Sequence, residues 1–119
     1  MSEITIYHNP NCSKSRQTLE LLREQGVEPK IIHYLDTPPD EGTLQQLLHL
    51  MKMEPFDLVR KKEDLFEELA IEKIGSNSQQ LIRTMVENPI LIERPIVVKG
   101  NKAVICRPPE SVLTLIDDK

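Results

Sequence analysis

The spacing of apolar positions changes along the chain, and each change marks an element. Ile4, Ile6 and Tyr7 lie in a short β-branched and aromatic run that reads as a strand. The run breaks at His8-Asn9-Pro10-Asn11, whose Asn and Pro residues form turns. From Ser13 or Lys14 onward, Gln17, Leu19, Glu20, Leu21, Leu22, Arg23 and Glu24 favour a helix with Leu19, Leu22 and Gly26 on one face, and Gly26 supplies its stop. Lys30-Ile31-Ile32-His33-Tyr34 then reads as a second strand. The right-handed crossover of such a β-α-β opening lays the helix across one face of the sheet and leaves the first strand-to-helix junction at an exposed corner. Active sites of open α/β sheets gather at such strand ends.

Thr37-Pro38-Pro39-Asp40 predicts a helix start, with Thr37 as N-cap, Pro38 at the first helical position and Asp40 as the capping-box acid. Leu44, Leu47, Leu48 and Met51 follow at helical spacing. Pro55 interrupts them. Phe56 to Arg60 is then a short turn or helix, followed by a helical stretch from about Glu63 to Ala70. Ser76-Asn77-Ser78-Gln79 forms another capping box, ahead of a helix with Leu81, Ile82, Met85 and Val86 as its buried stripe and Asn88-Pro89 as its stop. Everything from about 37 to 88 is therefore helical or connecting, several times what a crossover needs, and reads as a helical subdomain inserted between strands. Ile96-Val97-Val98 and Ala103-Val104-Ile105-Cys106 flank the tight turn Lys99-Gly100-Asn101-Lys102 as an antiparallel hairpin. Pro108-Pro109-Glu110 opens a last helix with Val112, Leu113 and Ile116 inward. Strand, helix, strand, helices, hairpin and helix is the order of an α/β, thioredoxin-like fold with a mixed four-stranded sheet. That fold carries a cis-proline just before its third strand, and Pro95 stands at that place.

Composition narrows the function classes. The chain of 119 residues suits a single domain, 1–119, with its own core. It has neither an apolar run long enough to span a bilayer nor a charged-then-apolar leader, which predicts a soluble, cytoplasmic protein with no membrane partner. A formal net charge of −4 argues against a nucleic-acid partner, so any anion site must be local. Two cysteines are too few for a disulfide scaffold. No His/Cys cluster has zinc-site spacing, His33 reads as a structural strand residue, and neither a metal nor a bound organic cofactor is expected.

The chemistry concentrates at Cys12, where a strand gives way to a helix. Unpaired N–H groups and the positive end of the helix dipole favour a thiolate there, and His8, Lys14 and Arg16 can add positive charge. The same features bind anions. The competing reading is a small buried hydrophobe, the commonest fate of a free cysteine. A phosphatase-type loop is excluded, because the sixth residue after Cys12 is Thr18 rather than Arg. A dithiol motif is excluded by Ser15 at the second Cys position. Cys106 ends an apolar run and reads as packing at a strand end. Arg60, Arg94 and Arg107 stand at joins between elements, and their planar forks suit a tetrahedral oxyanion, although loop arginines are most often solvated surface charges.

Along nearly its whole length the chain resembles the glutaredoxin-coupled arsenate reductases. The resemblance is carried by His8-Asn9-Pro10-Asn11-Cys12-Ser13-Lys14-Ser15-Arg16, by Arg60, by Arg94-Pro95-Ile96-Val97-Val98 and by Cys106-Arg107-Pro108-Pro109-Glu110. It implies that Cys12 attacks arsenate, that His8 helps keep Cys12 ionised, and that Arg60, Arg94 and Arg107 hold the oxyanion, with Ser15, Lys14 and Pro95 in support. Glutathione as co-substrate and glutaredoxin as partner would then complete reduction to arsenite, a detoxification of arsenic. Two other readings fit the same fold. One is a non-catalytic regulator or interaction protein, whose frequent Cys-x-x-Cys switch is missing here. The other is a monothiol glutaredoxin-like protein, which Cys12-Ser13-Lys14-Ser15 suits but the long insert and Cys106-Arg107-Pro108 after the hairpin do not.

Overall fold

Strand β1 (Ile4–His8) alternates buried and half-buried residues, which puts Ile4, Ile6 and His8 on one face of the sheet. It pairs in parallel with β2 (Lys30–His33), where Ile6 stands opposite Ile31 and His8 opposite His33. On its other side it runs antiparallel to β3 (Ile96–Lys99), which turns into β4 (Lys102–Ile105). The order β2-β1-β3-β4 is the mixed sheet of a thioredoxin-like fold. Strand β2 stops one residue short of the expected Tyr34, because the His33 carbonyl accepts the N–H groups of Asp36 and Thr37 at 3.0 and 2.9 Å and turns the chain. The Arg94-Pro95 peptide is cis, as the sequence position implied; Arg107-Pro108 is cis as well.

The computed structural model describes residues 3–75 and 77–117. They fall into two compact units, one made of the chain up to Thr37 with the chain from Arg94 onward, the other being Pro38–Glu93. In the first unit, helix α1 (Ser13–Glu24) ends as its sequence requires. Gly26 takes φ +78°, a conformation costly for any residue with a Cβ, while the Gly26 and Val27 N–H groups bond the carbonyls of Arg23 and Leu22. Leu22 packs with Ile4, Ile6, Val97, Cys106, Val112 and Leu115 in one core cluster.

The second unit is helical. Helix α2 (Glu41–Met51) buries Leu44, Leu47 and Leu48, matching the apolar spacing. Its cap is Asp40, whose carboxylate accepts the Thr43 N–H at 2.7 Å, rather than Thr37. The two prolines extend the chain ahead of the helix instead of opening it, so the carboxylate and not the threonine reaches the first free N–H groups. Short helices α3 (Pro55–Leu58), α4 (Asp64–Glu68) and α5 (Ile71–Ile74) precede α6 (Ser78–Glu87). Asn77 caps α6 through the Gln80 N–H, and Ser76 of the expected capping box lies outside the described residues. A 3-10 turn at Pro89–Leu91 follows, and Val59 and Ile92 form an antiparallel bridge. In the first unit, the last helix, α7 (Ser111–Asp117), begins after the proline pair, with the Ser111 N–H turned back to the Pro108 carbonyl at 3.0 Å.

Leu22 is fully buried, so Leu22→Ala should cost about 2–5 kcal/mol. Leu69, a large hydrophobic side chain that stays exposed, should change stability by no more than about 0.5 kcal/mol when cut to Ala. Urea unfolding of the two variants would check both values; equal losses would contradict the assigned core.

Candidate active site

The corner between β1 and α1 is built by its own polar groups. Asn9 turns the chain, its Oδ1 accepting the Asn11 N–H at 2.9 Å and its carbonyl accepting the Cys12 N–H at 3.0 Å. Arg16 reaches back to donate to the Pro10 carbonyl at 2.8 Å. Cys12 is thereby fixed as the residue that opens α1, in extended backbone, with its carbonyl taking the Arg16 N–H as the first helical bond.

No cap hydrogen bond closes on the Cys12 sulfur, which leaves the helix's first N–H groups to act on its charge. Burial of the thiol opposes ionisation. It is outweighed by the Ser15 N–H, the Arg94 guanidinium and the Lys14 N–H, so the thiol is held below the ordinary cysteine range. Lys14 therefore contributes through its backbone. Cys106 shows the same side chain without such help: it is buried among apolar residues, its Sγ is 3.9 Å from the Val104 carbonyl, and burial pushes its thiol up to about 12. The chain thus carries one activated and one inert thiol.

Burial disfavours the positive charge that the sequence suggested for His8. The residue is 5% exposed, and burial, His33, Arg23 and Arg16, in that order, hold its imidazole below the usual histidine range. Its Nδ1 lies 2.6 Å from the Ser15 hydroxyl, which also accepts the Asn9 N–H at 3.0 Å. The cation at the sulfur is Arg94, a buried residue at the start of the β3 approach. Arg107 Nη1 donates to the Arg94 carbonyl at 3.0 Å, tying two of the three arginines together. Arg60 belongs to the second unit, where its guanidinium meets Glu63 at 2.8 Å and Glu93 at 3.6 Å. Pro95 is buried, and its carbonyl accepts the Cys106 N–H at 3.0 Å.

Four residues play a larger part in the structure than their sequence signal indicates. From the sequence, Ser15 reads as the residue in place of a second cysteine and, through the resemblance, as a supporting residue with no stated contact, His33 only as a strand residue, Glu63 only as a helix start, and Glu93 not at all. The parallel pairing of β1 with β2, which sets His33 beside His8, is the feature that exposes the second histidine. Among the described residues no group of His, Cys, Asp and Glu has the arrangement to hold a metal ion, and no helix is long and apolar enough to cross a membrane.

A thioredoxin-like sheet that presents one activated thiol beside a buried arginine defines the class, a single-thiol member of that fold. The chain belongs to the ArsC family, whose model matches residues 7–115. It is 51% identical to the uncharacterized protein YfgD of Escherichia coli K12 over 96% of this chain and 97% of that one. It is 47% identical to an arsenate reductase of the same organism over 99% of this chain and 84% of the relative. The solved arsenate reductase from Vibrio cholerae superposes with a TM-score of 0.91 at 44% identity, covering 95% and 97% of the two chains.

Iodoacetamide alkylation against pH, read by mass spectrometry of the Cys12 peptide, should give a midpoint below the roughly 8.5 of a free thiol. Arg94→Ala should raise that midpoint, and Cys106 should stay unmodified until the chain is unfolded. A midpoint at the free value would remove the activated thiol.

The depressed His8 group also predicts a pH dependence of stability. The unfolded chain takes up the proton first, near the ordinary value of about 6.5, so the contribution is present above that pH and is lost as pH falls below it toward the folded value. Urea midpoints should therefore drop between pH 7 and 5 more steeply for the parent than for His8→Asn, and parallel curves would contradict the shift.

Proposed function

We propose that the chain reduces arsenate to arsenite with external thiols. The observation that carries the reading is the Cys12 sulfur, poised for ionisation at the opening of α1 by the Ser15 and Lys14 N–H groups and the Arg94 guanidinium, in a chain of the ArsC family. A thiolate in this setting is a nucleophile, and the donors that stabilise its charge also suit a tetrahedral oxyanion. Cys12 attacks the arsenic atom and displaces one oxygen as water, leaving a covalent Cys12–arsenic adduct. That condensation leaves arsenic as As(V). Glutathione then attacks the Cys12 sulfur, and the S–As bond breaks with its electron pair on arsenic, so that As(III) leaves as arsenite and Cys12 is left in a mixed disulfide with glutathione. A glutaredoxin thiol takes over that glutathione and frees Cys12, so that one glutathione and one glutaredoxin thiol end as one disulfide. Arg94 and Arg107 hold the anion from the same unit as Cys12, and Arg60 contributes the third guanidinium, as the resemblance implies. The burial of Cys106 among apolar residues, which pushes its thiol up to about 12, supports an external resolving thiol.

Arsenate-dependent NADPH oxidation, coupled through glutathione, glutaredoxin and glutathione reductase, is the test. The parent should turn over, Cys12→Ser should not, and Cys106→Ser should stay within about twofold of the parent, as for a packing residue replaced by one of similar volume. Replacing Arg60, Arg94 or Arg107 with Ala should weaken arsenate binding by about 1.5–3 kcal/mol, the worth of a hydrogen bond to a charged group. Absence of turnover by the folded parent would overturn the reading.

A further inference from the structure

Arg60 sits on a short stretch of extended pairing inside the helical unit. Val59 and Ile92 form an antiparallel bridge, the Arg60 N–H bonds the Leu91 carbonyl at 2.6 Å, and the Glu93 N–H bonds the Leu58 carbonyl at 2.9 Å. Side chains alternate across such a pair, so Val59 and Ile92, both buried, take one face and leave Arg60 and Glu93 on the other. The backbone itself therefore sets a carboxylate beside this guanidinium.

Two carboxylates meet Arg60, and they meet it differently. Glu63 Oε2 accepts from Nε at 2.8 Å, the length of a charge-assisted hydrogen bond. Glu63 stands at the N-cap of α4, yet its side chain closes no cap hydrogen bond there, unlike Asp40 and Asn77 at the starts of α2 and α6. Glu93 Oε1 lies 3.6 Å from Nη1, within ion-pair range but beyond a hydrogen bond, and this buried oxygen has no hydrogen-bond partner among the described residues. A carboxylate oxygen out of water and without a hydrogen bond is the weaker partner, the one that gives way. Lys61, the next cation along the chain, is engaged elsewhere: its Nζ donates to the Phe56 carbonyl at 2.8 Å and lies 4.5 Å from the Phe56 ring centre.

A guanidinium offers one fork between Nε and Nη2 and another between Nη1 and Nη2. Glu63 occupies Nε, so a tetrahedral oxyanion can take only the Nη1–Nη2 fork, and the group it meets there is Glu93. We propose that the two glutamates set the oxyanion affinity of Arg60 in opposite directions: Glu63 holds Nε and presents the free fork, while Glu93 competes for Nη1 and is displaced when the anion binds. Both act through Arg60 and are positioning residues. The inference rests on the proposed assignment of Arg60 to the oxyanion.

Sulfate is the probe, a tetrahedral anion whose dissociation constant is read by calorimetry on the full-length chain without any thiol chemistry. Glu93→Gln should tighten sulfate about three- to tenfold, the effect of removing a unit charge about 6 Å away at a dielectric constant between about 80 and 40. Glu41→Gln makes the same change of net charge at an exposed ion pair with Arg83 and should leave the affinity unchanged. Glu63→Gln and Glu63→Ala are both neutral, so their difference reads the Nε hydrogen bond alone; the Gln variant should bind at least about threefold more tightly, and the difference should vanish when Arg60 is replaced with Gln. The Gln variants keep the shape of the parent side chains, so the Glu93 comparison stands even if Glu63→Ala does not fold. No gain in Glu93→Gln, an equal gain in Glu41→Gln, or equal binding by the two Glu63 variants would overturn the proposal and leave a structural ion-pair network. Sulfate binding by Arg60→Gln at the parent's strength would bring down the oxyanion role of Arg60 as well, whereas loosened binding by Arg60→Gln with inert glutamate variants would sink this inference alone.

Discussion

Once Cys12 is taken partly out of water, its charge depends on what replaces the solvent. Burial alone would push the thiol up, as it does for Cys106, which reaches about 12 inside the apolar cluster. At Cys12 the balance reverses, because the opening turn of a helix offers N–H groups that have no carbonyl to bond and a guanidinium stands beside them. The same residue type in the same chain thus has opposite chemistry, decided by the presence of oriented donors. The Asn9 turn, the Arg16 tie to Pro10 and the Ser15 contact to His8 all hold that one geometry in place.

The fold read well from the chain where one periodicity governs a whole element. Leu44, Leu47 and Leu48 announced α2, the β1–α1 junction fell where Asn9 and Pro10 put it, and the Arg94-Pro95 peptide is cis where the topology asks for it. It read poorly where rival local signals compete. Thr37 and Asp40 are both good caps, and only the path of the two prolines decides for Asp40. Helix α5 and the 3-10 turn at Pro89–Leu91 are each four residues or fewer, too short for a helical period to be counted.

At the site, the identity of the nucleophile was legible and the source of its activation was not. A histidine four residues before a cysteine reads as a nearby positive charge. The pleat of β1, however, sends that histidine into the interior, beside a second histidine contributed by β2, where burial disfavours the charge. Arg94 takes over as the cation at the sulfur, from a position more than eighty residues away in sequence that only the sheet order brings close. Lys14 and Ser15, chosen for their side chains, act on the sulfur through backbone N–H groups that any residue would supply. What is particular to Ser15 is its hydroxyl, which links that backbone to His8.

The central claim is that one protein thiol carries the chemistry and an external thiol discharges it. Mass spectrometry of the chain incubated with arsenate and glutathione, with glutaredoxin left out so that the intermediate accumulates, examines this at the reacting atom. The account predicts an arsenate-dependent glutathione adduct on the Cys12 peptide with Cys106 unmodified. A Cys12–Cys106 disulfide, or an unmodified Cys12 in the folded protein, would contradict it.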